Sequence, residues 1–274
     1  MAEADAGDEG YASAQAKGAV GGRGGSDRST MLLRKGDPVA VATVRAIHEG
    51  DVEALRRLLH DNAGLAAART GDEKGRSGAL LHAVTDWPGF FPNAAEVVRL
   101  LIGAGADPNA RIAGSFHTET PLHWAASTDD LEVADALIEG GADIDASGGS
   151  IGSPVENAVG YGCWQVAHRL VWAGAKVTHL WTAAALGLMS RVEELAATDP
   201  GPGTDEINHA FNQACAGGQP RAAAYLLERG ADPQWTPDYA KDRTAAKAAI
   251  GGGTRWGILQ DWLRERGLAP RDEK

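Results

Sequence analysis

The sequence predicts an all-α solenoid of about six to seven helix-turn-helix repeats with irregular fingers between them. One segment, in which an apolar helix ends at a small residue pair, recurs four times as LLIGAGADPN (100–109), ALIEGGADID (136–145), RLVWAGAKVT (169–178) and YLLERGADPQ (225–234). A second, Ala-rich helix precedes these segments and begins near Leu122, Val155 and Phe211. Two alternating kinds of short helix are typical of a repeat protein.

The outer helices have the apolar period of a helix that buries one face. Val97, Val98, Leu100 and Leu101 form such a stripe. These helices have about ten residues, fewer than the roughly 12–15 that make an isolated helix even marginally stable in water. We therefore expect each pair to be stabilised by its neighbours. Gly141, directly after an outer helix, is predicted to end it in the left-handed conformation.

The composition of the chain predicts three segments. Residues 1–36 are rich in Gly, Ala, Ser and alternating charges, and we predict a disordered N-terminal extension. The repeat domain is predicted over residues 37–269, and a disordered tail over 270–274. Met31 begins the more structured-looking sequence and is a candidate start of translation.

Charge and cysteine content exclude several classes of function. The formal net charge of −11 opposes nucleic-acid binding, which needs a basic face. The sequence has no apolar run of membrane-spanning length and no signal-peptide pattern, so we expect a cytoplasmic protein without membrane contact. Cys163 and Cys215 have no metal-ligand spacing and are expected to be buried thiols. We expect a monomer without cofactor or metal.

One segment carries a family resemblance. Residues 120–126 read Thr-Pro-Leu-His-Trp-Ala-Ala, the T-P-L-H-x-A-A motif of ankyrin repeats, and 140–143 read Gly-Gly-Ala-Asp, which closes such a repeat. The chain resembles the ankyrin repeat family over roughly residues 38–268. This resemblance implies a protein-binding solenoid rather than an enzyme. The motif leucine aligns with Thr43, Leu81, Leu122, Val155, Leu180, Phe211 and Ala246.

The spacing of the aligned positions is irregular, which predicts unusual loops. Residues 86–92 (DWPGFFP) are an insertion between the two helices of the second repeat. The loop from Arg111 to Glu119 is longer than the usual finger, whereas the finger between Lys176 and Leu180 is nearly absent. Long loops in a repeat protein often belong to its binding face.

The candidate catalytic residues have a structural explanation. His82 and His123 occupy the histidine position of the motif, where the resemblance implies hydrogen bonds between repeats. Glu156 replaces this histidine in the next repeat, and a buried carboxylate there could have an altered pKa. The sequence contains no HExxH or phosphate-binding Gly-Lys-Ser/Thr motif. We predict no catalytic residue.

Aromatic residues indicate where a partner binds. Trp124 occupies the variable position of the motif, which the resemblance places on the concave face. We expect the loop and finger aromatics to converge with it on one patch, because large aromatic side chains are favoured contact residues. The predicted partner-binding residues are Trp87, Phe90, Phe91, Arg111, Phe116, His117, Trp124, Ser127, Thr128 and Tyr161. Trp172 and Trp262 are instead predicted to lie in the core.

Three functions are consistent with this sequence. The first is a protein-interaction scaffold that binds its partner through the concave face and finger loops. In the second, the Trp87 loop closes over the inner helices and forms a small-molecule pocket, or a catalytic one that uses His117 or Asp86 as acid or base. The third is an immunity-like inhibitor of one cognate protein, for which an acidic surface suits a basic target.

Overall fold

A computed structural model describes residues 31–34, 36–71 and 75–268 of the chain, which divide into two compact units. The N-terminal unit extends to Ala173 and the C-terminal unit starts at Gly174. Within both units the described residues are mostly helical, and the predicted all-α fold class is confirmed.

The N-terminal unit contains four helix pairs in its described residues. They are α1 (Pro38–Glu49) with α2 (Val52–Asp61), α3 (Leu80–Val84) with α4 (Ala94–Gly103), α5 (Pro121–Thr128) with α6 (Leu131–Glu139), and α7 (Pro154–Gly160) with α8 (Trp164–Trp172). The first helices of successive pairs pack on one another, and so do the second helices. This arrangement has an inner layer (α1, α3, α5, α7) and an outer layer (α2, α4, α6, α8).

The C-terminal unit repeats this pattern with three pairs among its described residues. They are α9 (Leu180–Ala185) with α10 (Met189–Ala196), α11 (Thr204–Ala216) with α12 (Pro220–Leu227), and α13 (Ala245–Ala248) followed by α14 (Thr254–Glu265). Helix α11 packs against α9 and α13, and α12 packs against α10 and α14.

The repeat register that the sequence predicts agrees with the burial of the aligned positions. Thr43, Leu81, Leu122, Val155, Leu180 and Phe211 are all buried, and Ala246 is half-buried. In five pairs, the residue seven positions after the aligned one follows the inner helix with a positive φ. These residues are Gly50, Asp129, Gly162, Gly187 and Gly218. One side chain per repeat therefore occupies the same place between the two layers.

Side chains fix the starts of several helices. Asp37, Asp51 and Asp130 accept hydrogen bonds from backbone N–H groups of α1, α2 and α6 at 2.9, 2.8 and 3.2 Å. Pro121 and Pro154 lie in the first turns of α5 and α7, where a proline removes no helical hydrogen bond.

A small sheet joins the fingers of the N-terminal unit. Strand β1 (Leu32–Arg34) pairs in parallel with β2 (Arg69–Gly71), which pairs antiparallel with β3 (Ser77–Ala79). An antiparallel bridge connects Ser77 to Ala113 in the next finger. Residues 32–34 form strand β1, so the disorder predicted over residues 1–36 is wrong for these three residues. Residues 1–30 of that extension, and the tail predicted over 270–274, lie outside the described residues.

Trp172 does not lie in the core, contrary to the prediction. Its side chain is 80% exposed, and the Arg169 guanidinium lies 4.6 Å from the ring centre. The buried stripe of α8 consists of Val166, Ala167 and Leu170, so Trp172 falls on the opposite face. Trp262 on α14 is half-buried.

Gly141, the second residue after α6, is predicted to be needed only because its backbone has a left-handed conformation. Gly141 has a φ of 90°, and a Cβ atom built there meets nothing within 4 Å. Gly141→Ala should therefore lower the free energy of unfolding by about 1–2 kcal/mol, the cost of a left-handed non-glycine residue. Gly103→Ala is the matched control, because its Cβ also enters open space but the residue is helical. Thermal unfolding that gives both variants the same midpoint would contradict this explanation.

Candidate partner-binding site

Two buried histidines join neighbouring repeats. Nδ1 of His82 accepts a hydrogen bond from the Ala79 N–H at 3.1 Å, and its Nε2 donates to the Glu119 carbonyl at 3.1 Å. His123 repeats this arrangement, with Nδ1 accepting from the Thr120 N–H and Nε2 donating to the Gly152 carbonyl, both at 3.1 Å. Each ring thus ties the start of its own helix to the following finger, which agrees with the structural role that the resemblance implies.

This bonding requires the neutral imidazole. A proton on Nδ1 of His82 would face the Ala79 N–H, which is itself a donor. Burial lowers the pKa of His82 to about 4, against the opposing effect of its bond to the Glu119 carbonyl. Burial likewise lowers the pKa of His123. Both rings are neutral at neutral pH.

A hydrogen-bonded carboxylate connects the inner helices α5 and α7. Oε2 of Glu119 accepts from the Trp124 indole N–H at 2.9 Å, and Oε1 accepts from the Ser150 N–H at 2.9 Å and the Asn157 side-chain amide at 3.2 Å. Burial alone would raise the pKa of Glu119, but the bonds from Ser150, Asn157 and Trp124 outweigh it, and the pKa is lowered. We did not predict this network, because its members lie in three separate segments of the sequence.

The network determines how Trp124 is presented. Its indole N–H is bound to Glu119, and its ring meets the His82 ring edge-on, with centroids 5.2 Å apart. Trp124 is therefore half-buried and rigidly held rather than freely exposed. A held aromatic ring loses little conformational entropy when a partner covers its remaining surface.

An open groove lies in front of Trp124. It has a volume of about 700 Å³ and runs between the inner helices α1 and α3 and the three-stranded sheet. Its apolar surface includes Leu33, Val41, Val44, Ile112 and Trp124. Charged side chains of both signs also line it: Arg34, Arg45, Glu49, Arg76 and Asp86. We name this feature the N-terminal groove.

The inserted loop lies at one side of this groove. The Phe91 ring stacks on His48 at a centroid distance of 4.3 Å, and His48, whose Nε2 donates to the Ala83 carbonyl, lines the groove. The Phe90 N–H donates to Asp130 at 3.1 Å, and the Phe90 side chain is 65% exposed. The Trp87 side chain is 83% exposed and is not among the groove-lining residues, although Asp86 is.

The finger residues form a separate group. Phe116 is 86% exposed and meets only His117 among the ring contacts of the described residues, at 5.1 Å. Arg111 has its guanidinium engaged with the carbonyls of Thr118 and Ser147, so it fixes the finger. No ring contact joins Phe116 to Trp87, Phe90 or Phe91 among the described residues, and their convergence on one partner surface stays a prediction.

The remaining predicted residues border the Glu119 network. Ser127 donates to the His123 carbonyl at 2.9 Å and accepts from Asn157 at 3.4 Å. Thr128 donates to the Trp124 carbonyl at 3.3 Å. The Tyr161 hydroxyl lies 3.3 Å from the Ser150 hydroxyl, and its side chain is half exposed. Tyr161 is thus the exposed aromatic of this group.

Other candidates for chemistry have structural roles. Glu156 is buried and accepts a hydrogen bond from the Ser153 N–H at 2.7 Å, which caps its own helix. Burial raises the pKa of Cys163 to about 11 and that of Cys215 to about 12. In the part of the chain that the structure describes, no group of three or more His, Cys, Asp or Glu is placed to hold a metal, and no helix is long and apolar enough to span a membrane.

Comparison with known proteins identifies the repeat. Residues 44–148 match the family described as ankyrin repeats (3 copies). The chain is 30% identical over 213 residues to human ankyrin repeat and SOCS box protein 16, which covers 74% of this chain and 38% of that protein. It is 46% identical over 59 residues to rat protein fem-1 homolog A, which covers 22% of this chain and 8% of the relative.

One similar protein is named as an enzyme. The chain is 29% identical over 119 residues to palmitoyltransferase AKR1 of Kluyveromyces lactis, and the match covers 43% of this chain and 14% of that protein. All three matches span well under half of the relatives' lengths. The similarity therefore concerns the repeats and not the relatives as whole proteins.

The neutral state of His82 predicts how stability depends on pH. Between pH 6.5 and 4 the unfolded chain binds a proton at this residue that the native protein does not, so the free energy of unfolding falls as the pH falls through this window. From pH 7 to pH 5 the His82 contribution should fall by about 2 kcal/mol. His82→Gln, which keeps a donor and an acceptor, should lose less stability over the same interval. Exposed His60 provides the control, and denaturant unfolding at both pH values measures the difference. Equal losses in His82→Gln and His60→Gln would refute the assignment.

Proposed function

This chain is an ankyrin-repeat protein, and we propose that it is an interaction scaffold that binds a segment of a partner protein in the N-terminal groove. Ankyrin repeats generally mediate protein–protein interaction. The open groove beside Trp124 carries the proposal, because it is concave, partly apolar and placed between inner helices and fingers.

The groove suits an extended segment with apolar side chains. Val41 on its floor is 54% exposed, so a partner can still cover most of this side chain. Trp124 and His82 are held by hydrogen bonds before any partner arrives, which lowers the entropic cost of binding. The charges of both signs around the floor favour a segment that has polar or charged residues on either side of its apolar ones.

Two exposed aromatics extend the proposed contact surface beyond the groove. Phe116 on the finger and Tyr161 after α7 are 86% and 51% exposed. An aromatic side chain buries 150–250 Å² when covered, so such residues often dominate binding energy. We place Phe116 and Tyr161 at the partner surface, whereas Arg111, Ser127 and Thr128 support it through their internal hydrogen bonds.

Small-molecule binding in the same groove is the second candidate. Its volume of about 700 Å³ lies within the usual range for ligand pockets. The Trp87 side chain is 83% exposed and, like His117, is not among the lining residues, whereas Asp86 is. Titration of tryptophan fluorescence with metabolites separates the candidates, since a saturable shift favours the small molecule.

The other finer expectations stay predictions. An inhibitor of one basic target is consistent with the net charge of −11, and binding that weakens steeply with salt would favour it. Cytoplasmic location and a monomeric state are expected on sequence grounds alone.

Substitutions in the groove and on the finger should reduce partner binding without loss of stability. Val41→Glu places a charge on the apolar floor, and Phe116→Ala removes an exposed aromatic; each should weaken binding about tenfold or more. Trp172→Ala is the matched control, because Trp172 is equally exposed but lies on outer helix α8. Quantitative affinity capture from the native cell compares the bound proteins.

The set of captured proteins decides whether the groove is the binding site. Loss of the same proteins from Val41→Glu and Phe116→Ala, but not from Trp172→Ala, supports the groove. If every captured protein is recovered equally with all three variants at unchanged melting temperature, the proposed site is wrong.

A further inference from the structure

The C-terminal unit carries an aromatic cluster that consists of Trp181, His209, Trp235 and Tyr239. Trp181 lies on α9 and stacks on His209 of α11, with centroids 5.4 Å apart and ring planes at 24°. Trp235 and Tyr239, in the connection after α12, lie 5.9 and 6.3 Å from the same imidazole. All four side chains are half-buried, so the cluster is packed internally and still reaches the surface.

The histidine at the centre of this cluster is neutral and accepts a hydrogen bond. Nε2 of His209 lies 3.4 Å from the Gln213 amide nitrogen and 3.3 Å from the Tyr239 hydroxyl, both of which can donate to it. Burial lowers the pKa of His209 to about 4, and the positive charge of nearby Arg243 acts in the same direction. The cluster therefore presents uncharged aromatic surface at neutral pH.

A cationic cavity follows directly along the chain. It has a volume of about 680 Å³, and its lining includes the cations Arg243, Lys247 and Arg264 but only one carboxylate, Asp242. Arg264 pairs with Asp261, whereas Arg243 and Lys247 have no ion-pair partner among the described residues. Ala246, Ile250 and Leu263 supply apolar surface in the same cavity, and Ile250 is 78% exposed.

The aromatic cluster and the cationic cavity are tied together. The Asn212 side-chain amide, on α11 three residues after His209, donates to the Arg243 carbonyl at 2.9 Å. Tyr239 of the cluster directly precedes Ala240, which lines the cavity. The two features therefore adjoin each other within the C-terminal unit, and we treat them together as the C-terminal surface.

We propose that this surface binds an acidic peptide segment of a partner protein that also carries an aromatic or other apolar side chain. Two unpaired cations in a chain of net charge −11 are available to carboxylates, and the aromatic cluster gives an apolar residue a flat contact. A cationic ligand fits poorly, because Arg243 and Lys247 would repel it. Single-stranded RNA stacks on aromatic rings too, but it needs a continuous row of phosphate-binding cations that this cavity does not have.

The test uses the full chain and peptides of defined composition. Fluorescein-labelled peptides that are rich in Glu and contain one Phe are titrated with the protein, and binding is measured by fluorescence anisotropy. Copies of the peptides in which Lys replaces Glu, and labelled oligouridine, are titrated in the same way. Lys247→Glu and Trp235→Ala should each raise the dissociation constant of the acidic peptides about tenfold or more. Lys241→Glu is the matched control, since it makes the same charge change on an exposed residue outside the cavity lining.

Each outcome of these titrations either supports or overturns the proposed acidic-peptide site. Selective binding of acidic peptides that Lys247→Glu and Trp235→Ala reduce, and that Lys241→Glu leaves within about twofold of wild type, supports the proposal. Absence of binding across the acidic array, equal binding of the Lys copies, tighter binding of oligouridine, or an equal loss in Lys241→Glu would overturn it. Because Lys247 is exposed, its substitution decides the question even if Trp235→Ala destabilises the fold.

Discussion

Contact between neighbouring helix pairs is the constraint on which this fold depends. The described helices have 4 to 13 residues, and most are shorter than an isolated helix needs to persist in water. In each unit, inner helices therefore pack on inner helices and outer helices on outer ones. The buried histidines strengthen the same contact with polar bonds, since His82 and His123 each reach a carbonyl in the following finger.

The same constraint leaves surface for binding. Helices that stack in two layers bury the faces between them, while the inner helices keep one side uncovered. In the N-terminal unit that side becomes a groove, because β1 and the fingers form a wall opposite α1 and α3. In the C-terminal unit the aromatic cluster includes side chains of the inner helices α9 and α11, and the cationic cavity is lined by residues of α13 and α14. The two surfaces differ in chemistry, one mainly apolar with mixed charge and the other aromatic and cationic.

The sequence predicts most of the fold but only part of the candidate site. Leu122 and Phe211 could be assigned to equivalent buried positions because a helix buries residues at a fixed period. Strand β1 could not be predicted, since three residues carry no period and their partner strand begins at Arg69. The Glu119 bonds to Trp124, Ser150 and Asn157, and the stacking of Trp181 on His209, depend on contacts between distant segments. Trp172 was misplaced because its spacing fits the edge of a stripe that in fact ends at Leu170.

Amide hydrogen exchange of Leu122→Ala tests the dependence on neighbours most directly. Leu122 is fully buried on α5, and its truncation should cost about 2–5 kcal/mol. If helix pairs stabilise one another, faster exchange will extend from α5 and α6 into α3, α4, α7 and α8 of the N-terminal unit. Exchange that rises only in α5 and α6, with the adjacent pairs protected as in the wild type, would contradict the account.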